Sequence, residues 1–96
     1  MTATQAVLIE RHGDPEVLVE RTVPVRDPGA GEVHLEVAAA GVNFADLLMR
    51  AGIYATVPPL PYSPGFEVSG IVRRVGPGIS GWAPGDRAVG LLRYGG

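Results

Sequence analysis

The feature that most constrains this chain is how often it must turn. Turn-forming combinations of glycine and proline recur along its whole length: Gly13-Asp14-Pro15, Asp27-Pro28-Gly29, Pro64-Gly65, Gly76-Pro77-Gly78 and Pro84-Gly85-Asp86. Glycine reaches the positive φ of tight turns, and proline fixes its own φ and lacks a backbone donor. Regular elements therefore stop at these points. Fourteen glycines and nine prolines in 96 residues are about twice the usual share. Helical bundles and coiled coils are excluded. The chain is one domain, or a piece of one, made of short elements.

Between the turns, the apolar pattern mostly has period two. Thr4–Glu10 reads as a strand. Val17, Val19, Val23 and Val25 share one face and predict a second strand over Val17–Val25, which Pro24 either ends or places at an edge. The cleanest alternation is Val33, Leu35, Val37 and Ala39 against Glu32, His34 and Glu36, which predicts a strand with one buried face. Glu67–Val75 and Arg87–Leu92 are further strand candidates. Within the first of these, Gly70 either weakens the strand or lets another backbone approach.

The period changes once. Phe44, Leu47, Leu48 and Ala51 follow helical spacing, with Asn43 as N-cap, Asp46 near the positive end of the helix dipole and Gly52 as the stop. Val57-Pro58-Pro59-Leu60-Pro61 cannot be regular structure and reads as an extended loop. Five or six short strands with one inserted helix predict a mostly β, small barrel-like fold.

The chemistry is bounded mainly by exclusion. A hydrophobic share of 46 % with 19 % charged residues suits a folded chain rather than a disordered one. A net charge of −2 leaves no basic footprint for nucleic acid or an anionic membrane surface. No apolar run approaches the ~18 residues of a membrane span, and no basic-then-apolar leader is present. The chain has no cysteine, hence no disulfide and no thiolate metal site, and the cytoplasm is the default location. His12 in a turn and His34 on a polar strand face read as solvated. Two histidines without cysteine do not make a structural zinc site. No nucleophile constellation, phosphate loop or dinucleotide fingerprint is visible.

Five ordered motifs add a resemblance. Gly41-Val42-Asn43-Phe44-Ala45-Asp46, Arg50-Ala51-Gly52-Ile53-Tyr54, Pro61-Tyr62-Ser63-Pro64-Gly65-Phe66-Glu67, Gly76-Pro77-Gly78 and Pro84-Gly85-Asp86-Arg87-Ala88-Val89 resemble the medium-chain dehydrogenase/reductase superfamily. The nearest branch looks like the NADPH-dependent quinone oxidoreductases and the vesicle amine transport protein 1-like members. The resemblance implies a GroES-like, partly open β-barrel with one short helix over residues 1–96, the substrate-side domain of a two-domain reductase. It also implies a cytoplasmic oxidoreductase passing hydride from NADPH to a quinone or an α,β-unsaturated carbonyl.

Site residues follow from the same resemblance. Asn43 and Tyr54 are implied as catalytic, and Asn43, Asp46 and Tyr54 as lining the cofactor and substrate cleft. From the residues alone, Asn43 is equally a helix cap, Asp46 a dipole partner and Tyr54 a loop-packing aromatic. Leu48 stands where several relatives carry tyrosine. The zinc alcohol dehydrogenase pattern has cysteine where this chain has Asn43 and histidine where it has Phe66, so the resemblance implies the zinc-independent branch, with no metal.

In this family a separate Rossmann domain binds the nucleotide. Met1 reads as a natural start, and the chain is expected to be truncated on its C-terminal side, with the Rossmann domain absent. Taken alone, it is expected to be inactive and to self-associate or to need its missing domain. Two other readings stand beside this one. One is an enoyl reductase unit of polyketide-synthase type; the other is a binding module that presents Pro58-Pro59-Leu60-Pro61 to a WW or SH3 domain. Length alone would also allow a co-chaperonin.

Overall fold

The computed structural model describes residues 2–96, so Met1, read above as a natural start, lies outside the described residues. Among the described residues lie five strands and one α-helix: β1 (Thr2–Ile9), β2 (Leu18–Val25), β3 (Val33–Ala40), α1 (Phe44–Ala51), β4 (Glu67–Val75) and β5 (Arg87–Leu91). β1 and β2 form an antiparallel hairpin running from Thr2 opposite Val25 to Ile9 opposite Leu18. β3, β4 and β5 form a second antiparallel sheet with β4 in the centre. The two sheets do not close on each other, and a partly open barrel is the observed architecture. A radius of gyration of 14.2 Å exceeds the ~12.5 Å of a compact chain of this length, as an open barrel should.

The second strand starts one residue later than its valine pattern suggests. Pro15–Val17 is a single 3-10 turn, closed by the Val17 N–H donating to the Asp14 carbonyl at 3.0 Å. Pro15 is preset for that first position, where its missing N–H costs nothing. Val17 is thereby taken out of the strand and buried at 3 % exposure. Pro24 lies within β2, which belongs to a two-stranded sheet and is therefore an edge.

β3 departs further from expectation. Val33 and Leu35 are half-buried, but Val37 is 52 % exposed and Ala39 is also exposed. The β3–β4 register shifts between Val37 and Ala39, which interrupts the alternation, and Val37 looks onto the open side of the barrel with Leu35 and Ala40. On β4, a Cβ at Gly70 would lie 2.2 Å from the Glu36 carbonyl oxygen, so Gly70 is where another backbone approaches.

The helix is capped as predicted but turned otherwise. Gly52 ends it at φ 81°, the left-handed position that glycine fills readily. The predicted stripe is not the buried face: Phe44 is 74 % and Leu47 43 % exposed. Met49 and Asp46 point inward instead. Met49 joins Ile9, Val17 and Tyr62 in the core, with Val57 and Phe66 packed against them. Burying each of these large side chains is worth about 1.5–3 kcal/mol.

Tyr62 ties the core together. It exchanges backbone hydrogen bonds with Ile9 at 2.8 and 3.2 Å, and its hydroxyl donates to the Met49 carbonyl at 3.0 Å. Burial first, and the charge of Asp46 second, push the Tyr62 hydroxyl above its usual pKa.

The two histidines are less solvated than their positions suggest. His12 packs its ring against Gly52, and its Nε2 is buried with no partner among the described residues. Next to it, the Gly13 N–H donates to the Arg50 carbonyl, and Arg50 Nε donates back to Gly13 O. His34 is half-buried, with Arg74 at 3.2 Å from its Nδ1.

Candidate functional site

The site is built around the start of α1. Asn43 takes an extended conformation (φ −114°, ψ 160°) and its carbonyl accepts the Asp46 N–H at 3.0 Å. Asp46 answers through its side chain: Oδ2 accepts the Asn43 N–H at 2.9 Å. This is the return half of a capping box. The Asn43 side chain faces the Asp46 N–H as the other half of the box without closing a full cap hydrogen bond, and the residue is exposed. Its NH₂ group therefore has no partner among the described residues and stands beside a helix N-terminus, where unpaired N–H groups and the dipole favour electron-rich ligands.

Asp46, which the family resemblance implies as a cleft residue, is largely buried. It is 8 % exposed, and its second oxygen, Oδ1, accepts the Gly65 N–H at 2.9 Å. Both oxygens are thus engaged by backbone. Gly65 leads into Phe66, whose ring meets Tyr54 edge-on at 6.3 Å and 61°. Tyr54 keeps 37 % of its surface exposed. Asn43 and Asp46 are brought into contact directly, while Tyr54 is connected to them through Phe66 and Gly65.

Glu67 follows Phe66, and its side chain lies across Gly41, where a Cβ would collide with the carboxylate. The Gly41 N–H donates to the Glu67 carbonyl at 3.2 Å. Periodicity could not reveal these contacts, because they join segments far apart in sequence. The recurrence of glycine at positions 41 and 65 was the only local sign.

A cleft of about 1030 Å³ lies between the two sheets. Val7, Leu18, Val23, Leu35, Val37 and Leu47 supply its apolar lining. Asp46 borders it together with Gly41 and Val42, while Asn43 and Tyr54 are not among its lining residues.

The short surface ion pairs also lie elsewhere. Arg26 grips Glu32 with both terminal nitrogens, at 2.5 and 2.8 Å, and the Gly29 N–H adds a third bond at 2.8 Å. Arg26, then Gly29, hold the Glu32 carboxyl down at about 2. Arg74 likewise lowers Asp27. Among the described residues, no three histidine, aspartate or glutamate side chains gather as a metal site, and no helix is long and apolar enough to cross a membrane.

Comparison with known proteins places this geometry in context. Residues 29–93 match the alcohol dehydrogenase GroES-like domain. The synaptic vesicle membrane protein VAT-1 homolog of Rattus norvegicus is 52 % identical over 68 residues, covering 71 % of this chain and 17 % of that protein. The crystal structure of human synaptic vesicle membrane protein VAT-1 homolog-like protein superposes with a TM-score of 0.93 at 34 % identity, covering 97 % of this chain and 30 % of that one. Escherichia coli quinone oxidoreductase, solved in complex with NADPH, gives a TM-score of 0.83 at 39 % identity over 90 % of this chain and 26 % of that one. The chain thus spans less than a third of the length of these relatives. With the open barrel, the capped helix and the five ordered motifs in agreement, this chain belongs to the alcohol dehydrogenase GroES-like domain family, in the branch of the medium-chain dehydrogenases/reductases that holds the quinone oxidoreductases and the VAT-1 proteins.

Proposed function

We propose that this chain is the substrate-side portion of an NADPH-dependent, zinc-independent oxidoreductase that reduces a quinone or an α,β-unsaturated carbonyl. The observation that carries this reading is the exposed, unpartnered Asn43 NH₂ donor at the N-terminus of α1. An amide N–H held beside a helix N-terminus donates to a carbonyl oxygen and stabilises the negative charge that grows there during reduction. The half-exposed Tyr54 ring, backed by Phe66, offers a flat apolar face for a planar ring. The two groups also suit the carboxamide and ring of a nicotinamide.

NADPH, when bound, supplies the hydride. Asn43 orients the acceptor carbonyl, and Tyr54 limits the tilt of its ring. Asn43 and the half-buried Phe66 offer no soft metal ligand, which supports carbonyl activation by hydrogen bonding. The greater length of the relatives supports a further domain that binds the nucleotide phosphates, and residues 1–96 alone are then inactive. The cytoplasm is the proposed location.

The test uses the polypeptide encoded by the reading frame that carries this chain. NADPH oxidation is followed with 1,4-benzoquinone as acceptor, with and without a chelator. We expect chelator-insensitive turnover that falls at least ~10-fold in Asn43→Ala. Turnover that a chelator abolishes and zinc restores would overturn the reading, as would wild-type protein that does not oxidise NADPH. An enoyl thioester reduced faster than the quinone would favour the enoyl reductase alternative.

A further inference from the structure

We propose that Asp46 is a positioning residue that acts through Asn43, rather than a group that touches the cofactor. Its carboxylate is buried and divides its two oxygens between two backbone segments: Oδ2 takes the Asn43 N–H and Oδ1 the Gly65 N–H, each at 2.9 Å. One segment opens α1 and presents the Asn43 side chain. The other leads through Phe66 to the Tyr54 ring. A single side chain therefore sets where the polar and the aromatic parts of the site stand relative to each other.

The chemistry requires a carboxylate here. One N–H donor arrives at each oxygen, and a carboxylate offers an acceptor to each. An asparagine has the same shape but one acceptor oxygen, so its NH₂ would face a second donor and leave it unpaired. The geometry also leaves the Asn43 NH₂ group without a partner among the described residues. The Asn43 N–H is satisfied by Asp46 Oδ2, and the Asp46 N–H is turned back on Asn43, to its main-chain carbonyl at 3.0 Å and to the side-chain oxygen that faces it in the box. Gly65 completes the arrangement, since its φ of 113° is a backbone state that L side chains rarely adopt.

The last step, from position to catalysis, rests on the proposed reductase function, so the test has two arms. In the first, the isotope-labelled longer polypeptide encoded by the same reading frame is examined by NMR for couplings across the hydrogen bonds, from the Asn43 and Gly65 nitrogens to Asp46 Cγ. We expect both couplings in the wild type and the loss of at least one in Asp46→Asn. Met49→Ala, which weakens the same core, should keep both. Absence of both couplings in the wild type overturns the inference, and this result stands even if Asp46→Asn does not fold.

The second arm uses the benzoquinone assay on the longer polypeptide. We expect Asp46→Asn to lower kcat/KM about tenfold in the wild-type background and less than about twofold in the Asn43→Ala background. Effects that multiply, or an NADPH KM that rises equally in both backgrounds, show that Asp46 acts independently of Asn43 and overturn the inference. A wild type without turnover refutes the reductase reading alone and leaves the NMR arm to decide the role of Asp46.

Discussion

Replacing Gly70 by alanine adds one methyl group at the place where the central sheet has least room for it. Gly70 lies on β4, opposite Val37 of β3 and Ala88 of β5. Its added Cβ would lie 2.2 Å from the Glu36 carbonyl oxygen, 2.9 Å from the Glu36 carbonyl carbon and 3.1 Å from Val37 Cα. All three are backbone atoms, so no side chain can rotate away. β3 must move by at least ~0.8 Å to restore contact distance. Overpacking of this kind costs about 1–3 kcal/mol. The shift also strains neighbouring ladder hydrogen bonds, worth about 1 kcal/mol each. Against this, alanine restricts the unfolded chain and returns about 0.4–1 kcal/mol. The net loss is about 2–4 kcal/mol, which for a domain of this size lowers Tm by roughly 10–30 °C.

Gly90→Ala is the matched control. Gly90 is also a strand glycine without positive φ, but its nearest neighbours, Val68 Cγ2 and Leu92 Cδ2, stand at ordinary contact distances of 3.4 and 3.9 Å. That variant should be neutral or slightly stabilised. Thermal melts by circular dichroism, together with urea midpoints, compare the two. A Gly70→Ala protein that melts within about 4 °C of wild type would refute the reasoning, since that is at most about 1 kcal/mol.

The Arg26–Glu32 pair should make stability depend on acidity. Because folding lowers the Glu32 pKa from 4.5 to about 2, its contribution is complete above the ordinary value and is lost as pH falls from there towards about 2. Glu32→Gln should flatten this part of the urea-midpoint profile, and high salt should shrink the difference because the pair is exposed; identical acid profiles for the two proteins would contradict the assignment. Tyr62→Phe removes the bond from the Tyr62 hydroxyl to the Met49 carbonyl. Since the Gly52 N–H still serves that carbonyl, the loss should be only about 0.5–1.5 kcal/mol. Faster amide exchange at Gly52 and Ile53 should accompany it, and an unchanged Tm would count against the bond.

Where the chain must bend was decided within a few residues of each bend. Gly52 ends α1 and Pro15 opens the 3-10 turn through their own backbone restrictions, which act whatever packs nearby. β4 runs over Glu67–Val75 as its pattern indicates, because turn residues bound it on both sides. The five motifs were also legible as strings, and with them the family. Burial was not legible, because it depends on what lies opposite. Phe44, Leu47 and Val37 have the spacing of a core, yet they face solvent or the open cleft. Met49 lies inward because the end of β1 and Tyr62 arrive there from 40 residues before it and 13 after it. The role of Asp46 was hidden in the same way. Its place in the first turn of a helix is local information, but the second N–H it accepts belongs to Gly65, 19 residues on. Periodicity fixes which face an element offers, and only the folded chain decides which of those faces meets a partner, because hydrogen bonds and packing act through space.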